Sequence, residues 1–257
     1  MIWLQRGFLV LTLVFAAATI FLAMKIQEVP LPDQFELPNG FSTPILAMEF
    51  PRDAADLAFV RGLENEDMRR HIYVVQYIDQ FFPWAYAGLV TVFIAFLTLK
   101  FSGRASNRWA VIGPMLPVLI LLPHGITSRD FYENEMIDRA IIMVMDEDSA
   151  LPRAESRVAE SVTSAAWRKW GMIGVSVLMI GILFAMNGYL IMGGLLLIPA
   201  LVTSYARFID PTGPTIEFMA QTIAVFFLAI PLMAVYFLVQ SFRRTEPTNE
   251  SPRQVES

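Results

Sequence analysis

Five stretches of this sequence contain no Asp, Glu, Lys or Arg: 7–24, 80–99, 109–128, 170–206 and 218–242. Nothing else in the chain constrains its fold as strongly. About 20 apolar residues in helical form cross a hydrocarbon core of ~30 Å, so each stretch reads as a membrane crossing. The stretch 170–206 is too long for one crossing, and Asn187-Gly188 is a natural turn that divides it. The expected spans are therefore six, at about 7–24, 80–99, 109–128, 170–187, 189–206 and 218–242. The third is the poorest, because it carries Pro114, Pro117, Pro123 and His124. The expected fold is all-α: a polytopic transmembrane helical bundle, forming a single domain over 1–244.

Composition supports lipid as the solvent. Only 17% of the 257 residues are charged and 55% are hydrophobic, whereas soluble domains carry about 25% charge. The first apolar run also has the look of a signal peptide, with Arg6 ahead of it and Ala16-Ala17-Ala18 inside it. It continues to Met24, however, which favours an uncleaved anchor.

Lys and Arg in short loops set the orientation. Lys100, Arg104 and Arg108 share a loop with no acid, Arg6 precedes the first span, and Arg243-Arg244 follow the last. Six crossings put all of them on one side, expected to be the cytoplasm, with both termini there. Arg168 and Lys169 fall on the wrong side. The tail, 245–257, is rich in Glu, Pro, Ser and Thr and reads as disordered.

The expected outside segment, 25–79, holds ten acids among 25–80 against five basic residues. It starts with Pro30, Pro32, Pro38 and Asn39-Gly40, as extended chain and turns. From Asp53, the spacing of Leu57, Val60 and Leu63 predicts a short amphipathic helix capped by Asp53, with Asp56 in its first turn. Another helix is expected from Asp67 directly into the second span. A further helix follows the third span, with Ile137, Ile141 and Val144 on one stripe and Asp146-Glu147-Asp148 at its close. Leu151-Pro152 then breaks the chain, and a helix from about Arg153 leads into the fourth span. In Trp167-Arg168-Lys169-Trp170, two tryptophans flank two cations, the signature of an interfacial anchor.

Several function classes are excluded. With no cysteine there is no disulfide, thiolate metal site or cysteine nucleophile. Two histidines, His71 and His124, cannot build a three-histidine centre. A net charge of −5 with no basic stripe does not suit nucleic acid. There is no Gly-rich phosphate loop, GxSxG elbow, HExxH motif or internal repeat. Gly193-Gly194 reads as a close helix contact.

Acids near the bilayer are the remaining chemistry. Asp79 stands where the second span begins, with Pro83 and Tyr86 at i+4 and i+7. Asp130, Glu133 and Asn134 project from one helix face just past the third span. They face either the bundle interior or solvent. Buried, they could hold a proton, pair with Arg129 or Arg139, or bind a hard divalent cation, the cofactor that oxygen ligands suit best. The weak metal candidates are Asp79, His124, Asp130 and Glu133. His124 reads first as an interfacial polar tip and His71 as solvated.

The segment Thr43-Pro44-Ile45-Leu46-Ala47-Met48-Glu49-Phe50, then Tyr77-Ile78-Asp79-Gln80-Phe81-Phe82 with Tyr86, then Asp130 with Glu133-Asn134, form a pattern. It resembles a family of uncharacterised bacterial inner-membrane proteins reading roughly "ILALE(L/F)A … LDFLFIPAY … DxxEN". The resemblance covers about residues 8–190. Pro51 stands where the family usually has Ala, and Pro123-His124-Gly125 is extra. The resemblance implies an intramembrane polar cluster of Glu49, Asp79, Tyr86, Asp130, Glu133 and Asn134, and implies no activity.

The expected function is a non-enzymatic binding module or accessory subunit in contact with lipids and other membrane subunits. The alternatives are a small cation- or proton-coupled transporter and a membrane-embedded metal-dependent hydrolase.

Overall fold

The computed structural model describes residues 2–33, 35–102, 109–145 and 152–243, with backbone only at Leu63, 109–111, Pro114 and 152–155. The expectations for Arg104, Arg108, Asp146-Glu147-Asp148, Leu151, Arg244 and the tail fall outside these residues. The described elements are helices α1 (Ile2–Gln27), α2 (Pro44–Glu49), α3 (Glu66–Asp79), α4 (Phe82–Ser102), α5 (Trp109–Met145), α6 (Pro152–Met186), α7 (Leu190–Phe208) and α8 (Gly213–Arg243). Among the described residues there is no strand.

Among the described residues, five helical segments are long and apolar enough to cross a membrane: Ile2–Gln27, Glu66–Ser102, Ser156–Met186, Leu190–Phe208 and Gly213–Arg243. The chain is thus an α-helical membrane protein. The third expected span, 109–128, is the first half of α5, which stays helical across Pro117 and Pro123. At 37 residues, α5 is ~55 Å long, longer than a hydrocarbon core of ~30 Å requires.

The six long helices close into a ring. α1 packs on α4 and α8, α4 on α5, α5 on α6, α6 on α7, and α7 on α8. α4 also touches α6 and α8, so it is pressed towards the middle. This explains why its composition is apolar on every side and most of its residues are buried.

Small residues permit the closest approach. A Cβ added at Gly193 would lie 2.8 Å from the Gly181 carbonyl oxygen and 2.9 Å from Ala185, so α6 and α7 meet backbone to backbone there. Gly194 has open space around it instead. The α6–α7 turn is at Asn187-Gly188, with Gly188 at φ +84°, a left-handed conformation that glycine adopts freely.

Between α1 and α3 the chain forms a strap across one end of the bundle. Asn39 (φ +55°) and Gly40 (φ +76°) turn it beside the start of α8. Ser42 N and Thr43 N donate to Glu217 Oε1 at 2.6 and 2.8 Å, and Ser42 Oγ donates to Oε2 at 2.7 Å. The strap then crosses to α6, where Thr163 donates to the Pro51 carbonyl at 2.6 Å and Phe50 packs edge-on against Trp167. Asp53 caps the next turn, accepting from Ala55 N at 2.8 Å and Asp56 N at 3.3 Å. That turn, Ala54–Val60, is a 3-10 helix rather than the expected amphipathic α-helix. At seven residues it is longer than the three or four that 3-10 runs usually reach.

Two more expectations are corrected. The helix from the outside segment does not run unbroken into the second span: α3 ends at Asp79 and α4 begins at Phe82. Pro83 has no N–H to give the Asp79 carbonyl, so the ladder is interrupted there. His71 is buried rather than solvated, and its Nδ1 lies 2.8 Å from the Pro30 carbonyl oxygen.

Candidate functional site

Under the strap lies a cluster of charged side chains from four helices. Lys169 of α6 is at its centre, 6% exposed. Its Nζ lies 2.9 Å from Glu49 Oε1 and 3.6 Å from Asp130 Oδ1, and it also contacts Glu133 Oε2. Glu49 Oε2 accepts from Trp170 Nε1 at 2.7 Å. Tyr86 Oη donates to Asp130 Oδ2 at 2.7 Å. At the margin, Asn134 Nδ2 donates to Asp79 Oδ2 at 3.3 Å.

Local structure explains each position. Glu49 is the last residue of α2, whose start at Thr43-Pro44 is fixed by Glu217. Asp130, Glu133 and Asn134 sit at i, i+3 and i+4 on α5, so one face presents all three. Lys169 and Trp170 are adjacent on α6, and both reach Glu49. Asp79, where α3 ends, and Tyr86, one turn into α4, both reach α5 across the same seam.

The electrostatics are unbalanced. One ammonium faces three carboxyl groups at ion-pair distance, and Asp79 stands nearby. Charges taken out of water are costly unless paired and hydrogen-bonded. Glu133 has no exposed surface and its Oε1 has no hydrogen-bond partner; Asp130, 2% exposed, likewise lacks one at Oδ1. Glu133 Oε1 is an acceptor without a donor, and Asp130 Oδ1 has only the Lys169 ammonium, beyond hydrogen-bond distance at 3.6 Å.

Of the six residues implied by the family resemblance, Glu49, Tyr86, Asp130 and Glu133 join Lys169 in one network, and Asn134 and Asp79 form a separate pair at its margin. Sequence reasoning missed Lys169 and Trp170, which the Trp-Arg-Lys-Trp signature assigns to interfacial anchoring. Arg168 is exposed as an anchor would be, but Lys169 turns inward. The available signal was its place on the wrong side of the charge topology: a cation consumed by buried acids does not count as a loop charge. Arg129 and Arg139 are not the partners of the trio. Arg139 pairs with Glu135 on the surface instead.

His124 is exposed and lies outside the cluster. Among the described residues, no three His, Cys, Asp or Glu side chains are grouped to hold a metal ion; Lys169 occupies the space between the acids. Two clefts open elsewhere, along α3. One is lined by Val29–Asp33 with Asp67, Arg70, His71 and Val74. The other is lined by Glu66, Arg69, Arg70, Tyr73, Val74, Tyr77 and Met145. Neither reaches the Lys169 cluster. No protein-family model, curated protein or solved structure matches the chain.

Proposed function

We propose that this is a non-enzymatic protein of the bacterial inner membrane, a binding module or accessory subunit of a membrane assembly, with both termini cytoplasmic and the strap outside. One observation carries this reading. The charged cluster around Lys169 is sealed beneath the strap, with that cation held by Glu49, Asp130 and Glu133. A group so enclosed orders the fold and is out of reach of a substrate. What remains open is the outer surface along α3, where Tyr73, Val74 and Tyr77 are exposed beside Arg70 and Met145. Exposed apolar groups of this kind, rimmed by charge, suit contact with other proteins. Native mass spectrometry of the protein extracted in mild detergent tests the proposal. A stoichiometric partner chain or small ligand is the expected result. A bare protomer, in several detergents and from native membranes, contradicts it.

A second reading, a small cation- or proton-coupled transporter, is favoured by the surplus of carboxyl groups over ammonium. Flux in reconstituted vesicles under cation or proton gradients supports that reading, and the absence of any such flux removes it.

A further inference from the structure

We infer that the cluster is a proton-binding site, in which one proton is shared between Glu133 and Asp130 at neutral pH. An ionised carboxylate only accepts hydrogen bonds, whereas a carboxylic acid has one O–H to give. Glu133 and Asp130 are one helical turn apart on α5, and both face the ammonium of Lys169. Each has a buried oxygen with no donor, Glu133 Oε1 and Asp130 Oδ1. A proton on either residue gives the pair an O–H donor where there was only an acceptor. It also removes one of two surplus negative charges, since Lys169 alone faces Glu49, Asp130 and Glu133. Two carboxylates that share a site do not both ionise readily.

Four other helices bring side chains to the pair. α2 brings Glu49, α3 Asp79, α4 Tyr86 and α6 Lys169. Tyr86 satisfies the other oxygen of Asp130, and Trp170 and Lys169 together satisfy Glu49. The donor shortage is therefore confined to the Glu133–Asp130 pair. Asp79, at the partly exposed margin, is the acid nearest to water. The site stands whether or not the protein binds a partner or carries flux.

The sign of the pH effect follows. A folded protein that holds a proton its unfolded chain releases loses stability as pH rises. The test uses the purified full-length protein in detergent. Infrared spectroscopy at neutral pH is expected to show a carboxylic-acid C=O band that shifts in D2O. Glu133→Gln and Asp130→Asn should each abolish it, because the amide supplies the missing donor, while Asp79→Asn should leave it. Thermal unfolding of the wild type should move to lower temperature from mildly acidic to mildly alkaline pH, and Glu133→Gln should flatten that slope. The inference is overturned if the wild type shows no acid band, if the band survives both substitutions, or if Glu133→Gln keeps the wild-type pH slope. Should either variant fail to fold, the wild-type band and slope still decide.

Discussion

At the strap end, α4, α5 and α6 meet through Tyr86, Asp130, Glu133 and Lys169. Fifteen residues further along α4 and α6, at Phe101 and Phe184, the chain uses another chemistry. Phe184 packs against Phe93, Phe101, Tyr189 and Phe237 with ring centroids 5.8–6.4 Å apart. The cations there sit over ring faces: Lys100 Nζ is 4.2 Å from the Phe237 centroid and Arg6 Cζ is 4.1 Å from Phe242. Arg6 also donates to the Ser241 carbonyl at 2.8 Å. Both ends hold helices together without exposing charge to lipid. The aromatic end does so with many small, weakly directional contacts. The strap end does so with few, strongly directional ones, where losing one partner strands the rest.

That contrast can be broken or sharpened by substitution, and the largest effect is expected at the centre of the cluster. Lys169→Met leaves three buried carboxyl groups without their cation. A loss of about 3–5 kcal/mol is expected, seen as failure to accumulate or as a large drop in thermal unfolding temperature. Accumulation and melting like wild type would show that the lysine does not organise this end. Next comes Phe184→Ala, which opens a cavity among four rings and should cost about 3 kcal/mol. Its penalty should be the same at acidic and alkaline pH, in contrast to the strap end; a pH-dependent penalty would erase the distinction.

A smaller effect is expected for the strap's far anchor. Glu217→Ala removes the acceptor of three hydrogen bonds from Ser42 and Thr43, at a cost of about 2 kcal/mol. Hydrogen exchange should accelerate over 39–52 and not at 93–101; uniform acceleration would mean that the strap is not a separate unit. The mildest change is Tyr86→Phe, which removes the donor to Asp130 Oδ2 and should cost about 1 kcal/mol. Combined with Asp130→Asn, it should cost little more than Asp130→Asn alone.

Much of the architecture was legible from charge spacing, because the cost of a charge in hydrocarbon punctuates the chain at both ends of four of the six expected spans. Lys25, Asp79, Arg129, Lys169 and Glu217 mark one end of the bundle; Arg6, Lys100 and Arg243 mark the other. The Asn187-Gly188 turn and the Asp53 cap were legible because both are local chemistry. The acids of α5 were legible through their i, i+3, i+4 spacing. Lys169 was not: at the start of a span between tryptophans, an anchoring lysine and a buried one are written alike. Only the convergence of Glu49, Asp130 and Glu133, up to 120 residues away in sequence, separates them. The Glu217 contacts with Ser42 and Thr43, also remote in sequence, left no local trace either. Nor did the burial of His71, whose partner is the Pro30 carbonyl.

The central claim is that Lys169 exists in this fold to neutralise the acids around it. A double-mutant cycle between Lys169→Met and Glu133→Gln, read by unfolding of the purified protein, tests it most directly. Strong coupling is expected: the double variant should be more stable than Lys169→Met alone, because removing an acid relieves the stranded charge. If the two effects simply add, the lysine and the acids are not one unit, and the claim fails.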